Sequence, residues 1–174
     1  ISSLSPFGVV IMVPLIPLLS VTFDRSIGDL QFLISIYVMG LAISQPLVGM
    51  MADRIGKRPV LLTGFTLFVV SSVALMLATT LQQMIALRFL QAVGVGAGTV
   101  IARSMIRDNL PPEEALKAFA LLTAAMGFTP VIAPILGGLF AAKGGITSVF
   151  ALLAALGLLL LFWCLKSIPR EAAE

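Results

Sequence analysis

The sequence predicts an all-α membrane protein in which six helices cross the bilayer. Three observations predict this fold class: 59% of the 174 residues are hydrophobic, only 11% are charged, and the mean hydropathy is +1.12. Soluble domains carry charges on about a quarter of their residues, so this composition excludes an ordinary water-soluble domain. Six spans of about 20 residues use about 120 positions and leave only short loops.

Six stretches of the chain carry no charged residue, and each marks one predicted span. They are residues 1–23, 30–52, 59–87, 89–102, 118–142 and 144–165. The third stretch is too long for one helix, and the polar segment 79–83 supplies a turn near its end. The fourth is short and reaches a full span only when Arg88 lies within the membrane.

The span limits follow from the length that a membrane helix needs. A helix rises about 1.5 Å per residue, so about 20 residues cross about 30 Å of hydrocarbon. Backbone groups in lipid must find hydrogen-bond partners within the segment, which favours helices. The predicted spans are residues 3–23, 29–52, 59–79, 82–104, 117–141 and 145–166.

The basic residues predict the orientation of the bundle. The loops on one side hold only Arg25 and Lys143, and the opposite loops hold the remaining Lys and Arg residues except Arg88. Because basic loops stay in the cytoplasm, both chain ends are predicted to be cytoplasmic, in a cell inner membrane. The cytoplasmic set is Arg54, Lys57, Arg58, Arg103, Arg107, Lys117, Lys166 and Arg170.

The composition also excludes several classes of function. There is no His, and Cys164 is the only Cys, so neither a disulfide within the chain nor a His or Cys metal site is expected. Without a buried carboxylate the sequence offers no plausible catalytic set, so we expect no enzyme and no cofactor. The net charge of +3 is too small to indicate nucleic-acid binding.

A glycine-rich basic motif lies between spans two and three and is the strongest local signal. Its members are Gly49, Asp53, Arg54, Gly56, Lys57 and Arg58. A turn this short favours Gly for its backbone freedom. Membrane anchoring explains Lys57 and Arg58, but it does not explain Asp53, an acid at the membrane edge. We therefore expect Asp53 to accept from a helix N-terminus or to pair with Arg103 or Arg107.

A weak internal repeat accompanies this motif. Residues 49–56 and 138–145 share a Gly, an Ala three positions on, a basic residue five on and a Gly seven on. The first copy lies between spans two and three and the second between spans five and six, so the two copies are inverted in the membrane. Inverted repeats of three helices are a known architecture of secondary transporters.

The motif resembles the loop two–three motif of the major facilitator superfamily, and two further segments agree. Residues 88–94 are similar to that superfamily's fourth-span motif, with Ala92 where Gly is usual. Residues 127–138 are similar to the fifth-span motif of its drug:proton antiporters, with Ala133 where Gly is commoner.

A narrower resemblance concerns the bicyclomycin-resistance (Bcr/CflA) drug-efflux branch. It rests on residues 107–113 and on the pair Pro14 and Pro17. Members of the superfamily have twelve spans in two halves, so the resemblance implies that residues 1–174 form the N-terminal half, with a 3+3 inverted repeat. The second half is absent from this chain. The chain is then either a fragment, or it pairs with another half or with a copy of itself.

Arg88 is the most informative single residue because an Arg within a span is costly unless it faces a partner or a cavity. One interpretation is that it reaches outward to the lipid headgroups. The other is that it lines the transport pathway with Gln91, which shares its helix face. The resemblance implies a role for Arg88 in proton or substrate coupling.

One departure from the branch concerns proton coupling. The branch usually carries an acidic residue in span one, where this sequence has Val10. Proton coupling needs a titratable group within the pathway. We therefore expect a coupling acid to come from the second half or from an interfacial Asp; otherwise the mechanism is uniport or uses another coupling.

Two further groups of residues complete the predicted site. Soft apolar and polar residues expected along the pathway, beside Arg88 and Gln91, are Met12, Tyr37, Gln45 and Met126. Residues expected to let the fifth span flex are Pro130, Pro134, Gly137 and Gly138. Simple helix packing is the alternative interpretation of this second group.

Together these features predict a secondary transporter. It is expected to move small lipophilic or amphipathic compounds by alternating access, with multidrug efflux as the direction that the resemblance favours. Uptake of a small organic anion or nutrient is one alternative. A six-span module that acts only after assembly with a second half or a copy of itself is another. The expected partners are membrane lipids, the substrate and that second half.

Overall fold

The computed structural model describes residues 2–167, and the regular structure there is entirely helical. Arg170, part of the predicted basic cytoplasmic set, lies outside the described residues. The helices are α1 (Leu4–Val10), a short 3-10 helix (Val13–Leu15), α2 (Ile16–Phe23), α3 (Ile27–Ile55), α4 (Lys57–Met76), α5 (Leu81–Asn109) and α6 (Pro112–Ser167).

Five helical segments in the described part of the chain are long and apolar enough to cross a membrane. Four of them are α3 to α6, and the fifth, Leu4–Phe23, combines α1, the 3-10 helix and α2. The prediction of an all-α protein with several membrane-spanning helices is therefore confirmed.

The first predicted span, residues 3–23, is a broken helix. The α-helical pattern stops at Val10 and resumes at Ile16, and Pro14 and Pro17 lie at the starts of the 3-10 helix and of α2. Proline has no backbone N–H to donate, so it is tolerated at the beginning of a helix but not within one. The Leu15 N–H donates to the Met12 carbonyl oxygen at 3.0 Å, which is the tighter hydrogen bond of a 3-10 turn.

Residues 77–80 separate α4 from α5, so the turn predicted at residues 79–83 falls at this break and its last three residues begin α5. Thr80 is the N-cap of α5: its hydroxyl accepts from the Gln83 N–H at 3.3 Å, and the Gln83 side chain accepts from the Thr80 N–H at 3.3 Å. This reciprocal pair satisfies two backbone donors that a helix start leaves free.

Helix α6 contains 56 residues, which is about 84 Å if straight and far more than one membrane crossing needs. Its backbone leaves the helical region at Gly144 (φ −143°, ψ 20°) and Gly145 (φ 66°, ψ −158°). The Ser148 hydroxyl donates to the Phe140 carbonyl oxygen at 2.5 Å, although residues eight apart in a straight helix are separated by about 12 Å. The chain therefore folds back here, and we call residues 112–143 and 146–167 the two arms of α6.

Helix α5 occupies the centre of the bundle and meets α4 and α3 at positions without large side chains. A Cβ at Gly94 would lie 2.6 Å from the Gly64 oxygen, and one at Gly40 would lie 2.8 Å from the Ala92 Cβ. Gly94 therefore lies at a close crossing of α5 and α4. Membrane helices depend on such contacts because lipid provides no hydrophobic drive for helix association.

Candidate functional site

Arg88 lies in the middle of the bundle with no exposed surface. Its Nη1 donates to Gln91 Oε1 at 2.6 Å, and its Nη2 donates to the Gly8 carbonyl oxygen at 2.7 Å. Its Cζ atom lies 4.0 Å from the centre of the Tyr37 ring, which is a cation–π contact. Arg88 therefore points into the bundle rather than towards the headgroups.

Gln91 extends these contacts to a fourth segment. Its Nε2 donates to the Ser72 hydroxyl at 2.7 Å, and that hydroxyl donates to the Phe68 carbonyl oxygen at 2.7 Å. We call Gly8, Tyr37, Ser72, Arg88 and Gln91 the Arg88 network. It joins α1, α3, α4 and α5, because each segment contributes at least one member.

The broken first span explains why Gly8 can accept from Arg88. In a continuous helix the Gly8 carbonyl would accept the N–H of Met12, but Met12 lies in the turn between α1 and the 3-10 helix. Gly8 also makes room for Tyr37, because a Cβ at Gly8 would overlap the Tyr37 hydroxyl and lie 2.7 Å from its Cζ. The break and the glycine together bring a backbone acceptor to a buried cation.

The Arg88 network contains no carboxylate. Among the described residues, the Tyr37 hydroxyl and Arg88 Nε are buried without a hydrogen-bond partner. A buried cation is costly unless nearby groups compensate for its lost hydration. Here a carbonyl, an amide oxygen and an aromatic face provide that compensation.

The glycine-rich motif forms a tight turn at one end of the bundle. Gly56 has φ 87°, a conformation that side chains rarely adopt, and it ends α3 just before α4 begins. Lys57 Nζ lies 2.6 Å from Asp108 Oδ2, and Arg107 Nε lies 3.1 Å from Asp108 Oδ1. Arg58 donates to the Leu165 carbonyl oxygen at 3.3 Å.

Asp53 does not take part in these ion pairs. Within residues 2–167 no basic group lies within 4.0 Å of its carboxylate, and the acid that pairs with Arg107 is Asp108. Asp53 instead shares a cavity of about 420 Å³ with both expected partners, Arg103 and Arg107. We call this the loop cavity; Gln45, Gly49 and Thr99 also line it.

A second cavity, of about 320 Å³, lies between α1, α3, α5 and α6, and we call it the inner cavity. Gln45 and Met126, both expected along the pathway, line it. The other predicted pathway residues, Met12, Tyr37, Arg88 and Gln91, have no exposed surface. The predicted pathway residues therefore fall into a cavity-lining pair and a buried set.

The predicted flexible segment lies within the first arm of α6, where Pro130 and Pro134 are both helical. Gly137 packs against the broken first span, since a Cβ there would lie 2.8 Å from the Ile11 oxygen and 3.1 Å from Pro14. Nothing lies within 4 Å of a Cβ built at Gly138. Packing therefore explains Gly137 but not its neighbour.

Comparison with known proteins identifies the family. The model of the Major Facilitator Superfamily matches residues 1–174. The chain belongs to this superfamily. It is also similar to three proteins named Multidrug resistance protein MdtL, each 34% identical over 158 residues, which is 91% of this chain and 40% of the relative. They come from Escherichia coli O45:K1 (strain S88 / ExPEC), Shigella flexneri serotype 5b (strain 8401) and Escherichia fergusonii (strain ATCC 35469).

The major facilitator superfamily is a family of membrane transporters rather than enzymes, and the described part of this chain has five helices long and apolar enough to cross a membrane. The chain spans about two fifths of the length of the curated relatives it matches. The narrower resemblance to the bicyclomycin-resistance branch remains a prediction.

Sequence reasoning missed three residues of this major facilitator site. Gly8 and Ser72 are small residues in apolar spans, and nothing in the local sequence indicates which carbonyl or hydroxyl faces Arg88. Asp108 directly follows Arg107 at the end of α5. An acid next to a basic residue at a helix end could have indicated an ion pair there.

Proposed function

We propose that this chain is the N-terminal half of a secondary transporter that moves small lipophilic or amphipathic compounds across the inner membrane by alternating access. Export of drug-like compounds is its proposed direction. The observation that carries the proposal is 34% identity over 91% of the chain with proteins named Multidrug resistance protein MdtL. The motif order also favours the N-terminal half, and the second half would complete the cavity walls.

We propose six membrane crossings, with the two arms of α6 as the fifth and sixth. The pairs Lys57–Asp108 and Arg58–Leu165 bring the start of α4, the end of α5 and the end of α6 to the same side. The first arm of α6 leaves that side directly after α5, so the second arm must return to it.

A 3+3 inverted repeat is supported by the two turns that the repeated segments form. Gly56 and Gly145 occupy the same place in residues 49–56 and 138–145. They are also the glycines with positive φ among the described residues, at 87° and 66°. A shared backbone conformation at matching positions supports common three-helix units.

We propose that the side holding Lys57 and Asp108 is cytoplasmic, with both chain ends there. The loops on this side are rich in Lys and Arg, and the opposite loops hold Arg25 and Lys143. Orientation follows this asymmetry in membrane proteins.

In this mechanism the half moves as a unit, and the Arg88 network holds its helices together. The network fixes α1 against α3, α4 and α5, so Arg88 and Gln91 act on the pathway through the position of α1. Gln45 and Met126 line the surface that a substrate contacts. The turn at Gly56 and the Lys57–Asp108 pair stabilise one state of the cytoplasmic gate.

We infer that the chain needs no cofactor and that a coupling proton would use an acid outside the Arg88 network. No carboxylate belongs to that network, and Val10 occupies the position where the branch carries one. The acids of the described residues lie near the helix ends, where they face water.

The test is transport in inverted membrane vesicles from cells that express the full reading frame. We expect the vesicles to accumulate lipophilic fluorescent compounds when energised, and we expect this uptake to be absent from vesicles without the protein. Measuring this uptake before and after the pH gradient is collapsed distinguishes proton-coupled transport from uniport. If the protein moves none of a panel of neutral, cationic and anionic lipophilic compounds, the proposed function is wrong.

A further inference from the structure

The inner cavity is an apolar space with one charged residue in its wall. Val9, Val38, Leu41 and Met126 provide apolar surface, and Arg103 is the charged lining residue. A volume of about 320 Å³ is at the lower end of the range for small-molecule sites. The volume and the lining residues therefore suit a small apolar body that carries one polar group.

The hydroxyls of this cavity already have partners. Ser5 Oγ and Thr99 Oγ1 lie 2.7 Å apart and hydrogen-bond to each other. The side chains of Gln45 and Arg103 are exposed, and they form no hydrogen bond or ion pair with another described residue. Within the described chain, they are the polar side chains of this cavity that have no partner.

In the described chain no acid lies within 4.0 Å of the Arg103 guanidinium. Arg103, Gln45 and Thr99 line both the inner cavity and the loop cavity, so Arg103 lies where the two meet. The loop cavity adds Asp53 and Arg107. Arg107 pairs with Asp108 at 3.1 Å, whereas Asp53 has no basic group within 4.0 Å in the described chain.

We propose that Arg103 is a specificity-determining residue that selects amphipathic organic anions. The apolar body of the compound occupies the inner cavity, and its carboxylate accepts hydrogen bonds from the Arg103 guanidinium. Charge complementarity supports this occupant, since Arg is suited to bind carboxylates through two parallel hydrogen bonds. This inference rests on the proposed transport function and narrows its substrate class.

Three matched compounds test the inference: 1-naphthoate is anionic, 1-naphthalenemethanol is neutral and 1-naphthylmethylamine is cationic near neutral pH. Equilibrium binding is measured on the purified full-length protein in detergent. We expect 1-naphthoate to bind at least about fivefold more tightly than the other two. The Arg103→Gln variant should weaken 1-naphthoate binding about tenfold and change binding of the alcohol less than about twofold.

Two control variants test whether weaker 1-naphthoate binding has another cause than the loss of the Arg103 side chain. Arg103→Lys keeps the charge and should retain most of the preference for the anion, although it loses the paired hydrogen bonds. Lys117→Gln removes one exposed positive charge from the same side of the bundle, away from both cavities, and should leave binding unchanged. Equal 1-naphthoate binding by the wild type and Arg103→Gln would overturn the inference, as would an equal loss in Lys117→Gln.

Flux measurements separate this inference from the proposed function. In proteoliposomes of phosphatidylcholine, we expect protein-dependent movement of 1-naphthoate that Arg103→Gln slows. Movement of the neutral or cationic compound without 1-naphthoate overturns the inference and leaves transport intact. Movement of none of the three overturns both. Displacement of bound 1-naphthoate by phosphatidylglycerol, without 1-naphthoate flux, would assign Arg103 to lipid binding and also overturn the inference.

Discussion

Arg88 Nη2 lies 2.7 Å from the carbonyl oxygen of Gly8, two residues before α1 ends at Val10. The contact joins a cation in the central helix to a backbone acceptor that a continuous helix would have used itself. The position of α1 within the bundle therefore depends on a side chain of α5.

Replacing Arg88 with Ala should slow transport at least about tenfold. This corresponds to a rise of about 1.4 kcal/mol in the activation free energy of the transport step. The substitution removes both hydrogen bonds and the Tyr37 contact. Arg88→Lys keeps the charge, but a single ammonium cannot reproduce the two-pronged geometry, so its transport should also fall. Flux in proteoliposomes is the measurement, with the amount of inserted protein as the control. Normal flux in Arg88→Ala would show that the network is dispensable.

Gly8→Ala should destabilise the protein by about 1–3 kcal/mol, because the added methyl overlaps the Tyr37 hydroxyl. Tyr37→Phe in the same chain should recover only part of the loss, since the ring carbon Cζ still lies 2.7 Å from that methyl. Thermal unfolding in detergent measures both changes. Gly127→Ala is the matched control, because nothing lies within 4 Å of a Cβ at that position. Equal unfolding temperatures for Gly8→Ala and Gly127→Ala would contradict the packing.

Asp53→Asn should slow transport and leave membrane insertion intact. The carboxylate is exposed in the loop cavity with Arg103 and Arg107, so its charge is available to pair in another state of the gate. Initial flux rates and protein levels in the membrane are compared with the wild type. Asp24→Asn is the matched control: it makes the same chemical change at an exposed site in another loop, and Asn tolerates its φ of 49°. The gate role fails if both variants transport normally.

Gly145→Ala should lower the free energy of unfolding by about 1–3 kcal/mol, because its φ of 66° and ψ of −158° strain any residue with a Cβ. Gly138→Ala lies in regular helix with open space around its Cβ and should not destabilise the protein. Thermal unfolding of the two variants in the same detergent makes the comparison. Equal unfolding temperatures for Gly145→Ala and Gly138→Ala would contradict the positive φ at Gly145.

Thiol labelling tests the proposed orientation. In a Cys164→Ser background, Lys117→Cys should react with a membrane-impermeant thiol reagent only from the cytoplasmic side, and Lys143→Cys only from the opposite side. Both lysines are exposed, so either cysteine should be accessible to the reagent. Labelling of both positions from one side would rule out a crossing between them.

Composition and spacing predicted those parts of the fold that depend on burying apolar length. The turn between α4 and α5 and the fold-back near residue 144 both appear where charge, polarity or glycine interrupts an apolar stretch. The break in residues 11–15 was harder to predict. Every residue there is apolar, and the hydropathy of a segment does not depend on whether its backbone makes α-helical hydrogen bonds. Pro14 and Pro17 were its only local signal.

The candidate site was predicted less completely. The contact between Arg88 and Gln91 follows from their spacing on one helix. Their partners Gly8 and Ser72 come from other helices, so their selection depends on helix rotation and crossing angle. The same limit explains why Lys57 pairs with Asp108: the direction of a side chain at a helix end is set by tertiary packing.

Helices α3 and α5 each contain 29 residues, which corresponds to about 43 Å of rise. A typical hydrocarbon layer is about 30 Å thick, so both helices must tilt or project into the headgroup region. The loop cavity lies between residues 45–53 at the end of α3 and residues 99–107 at the end of α5. Lipid chain length should therefore change the tilt of α3 and α5, and with it the width of the cavity that holds Asp53 and Arg103.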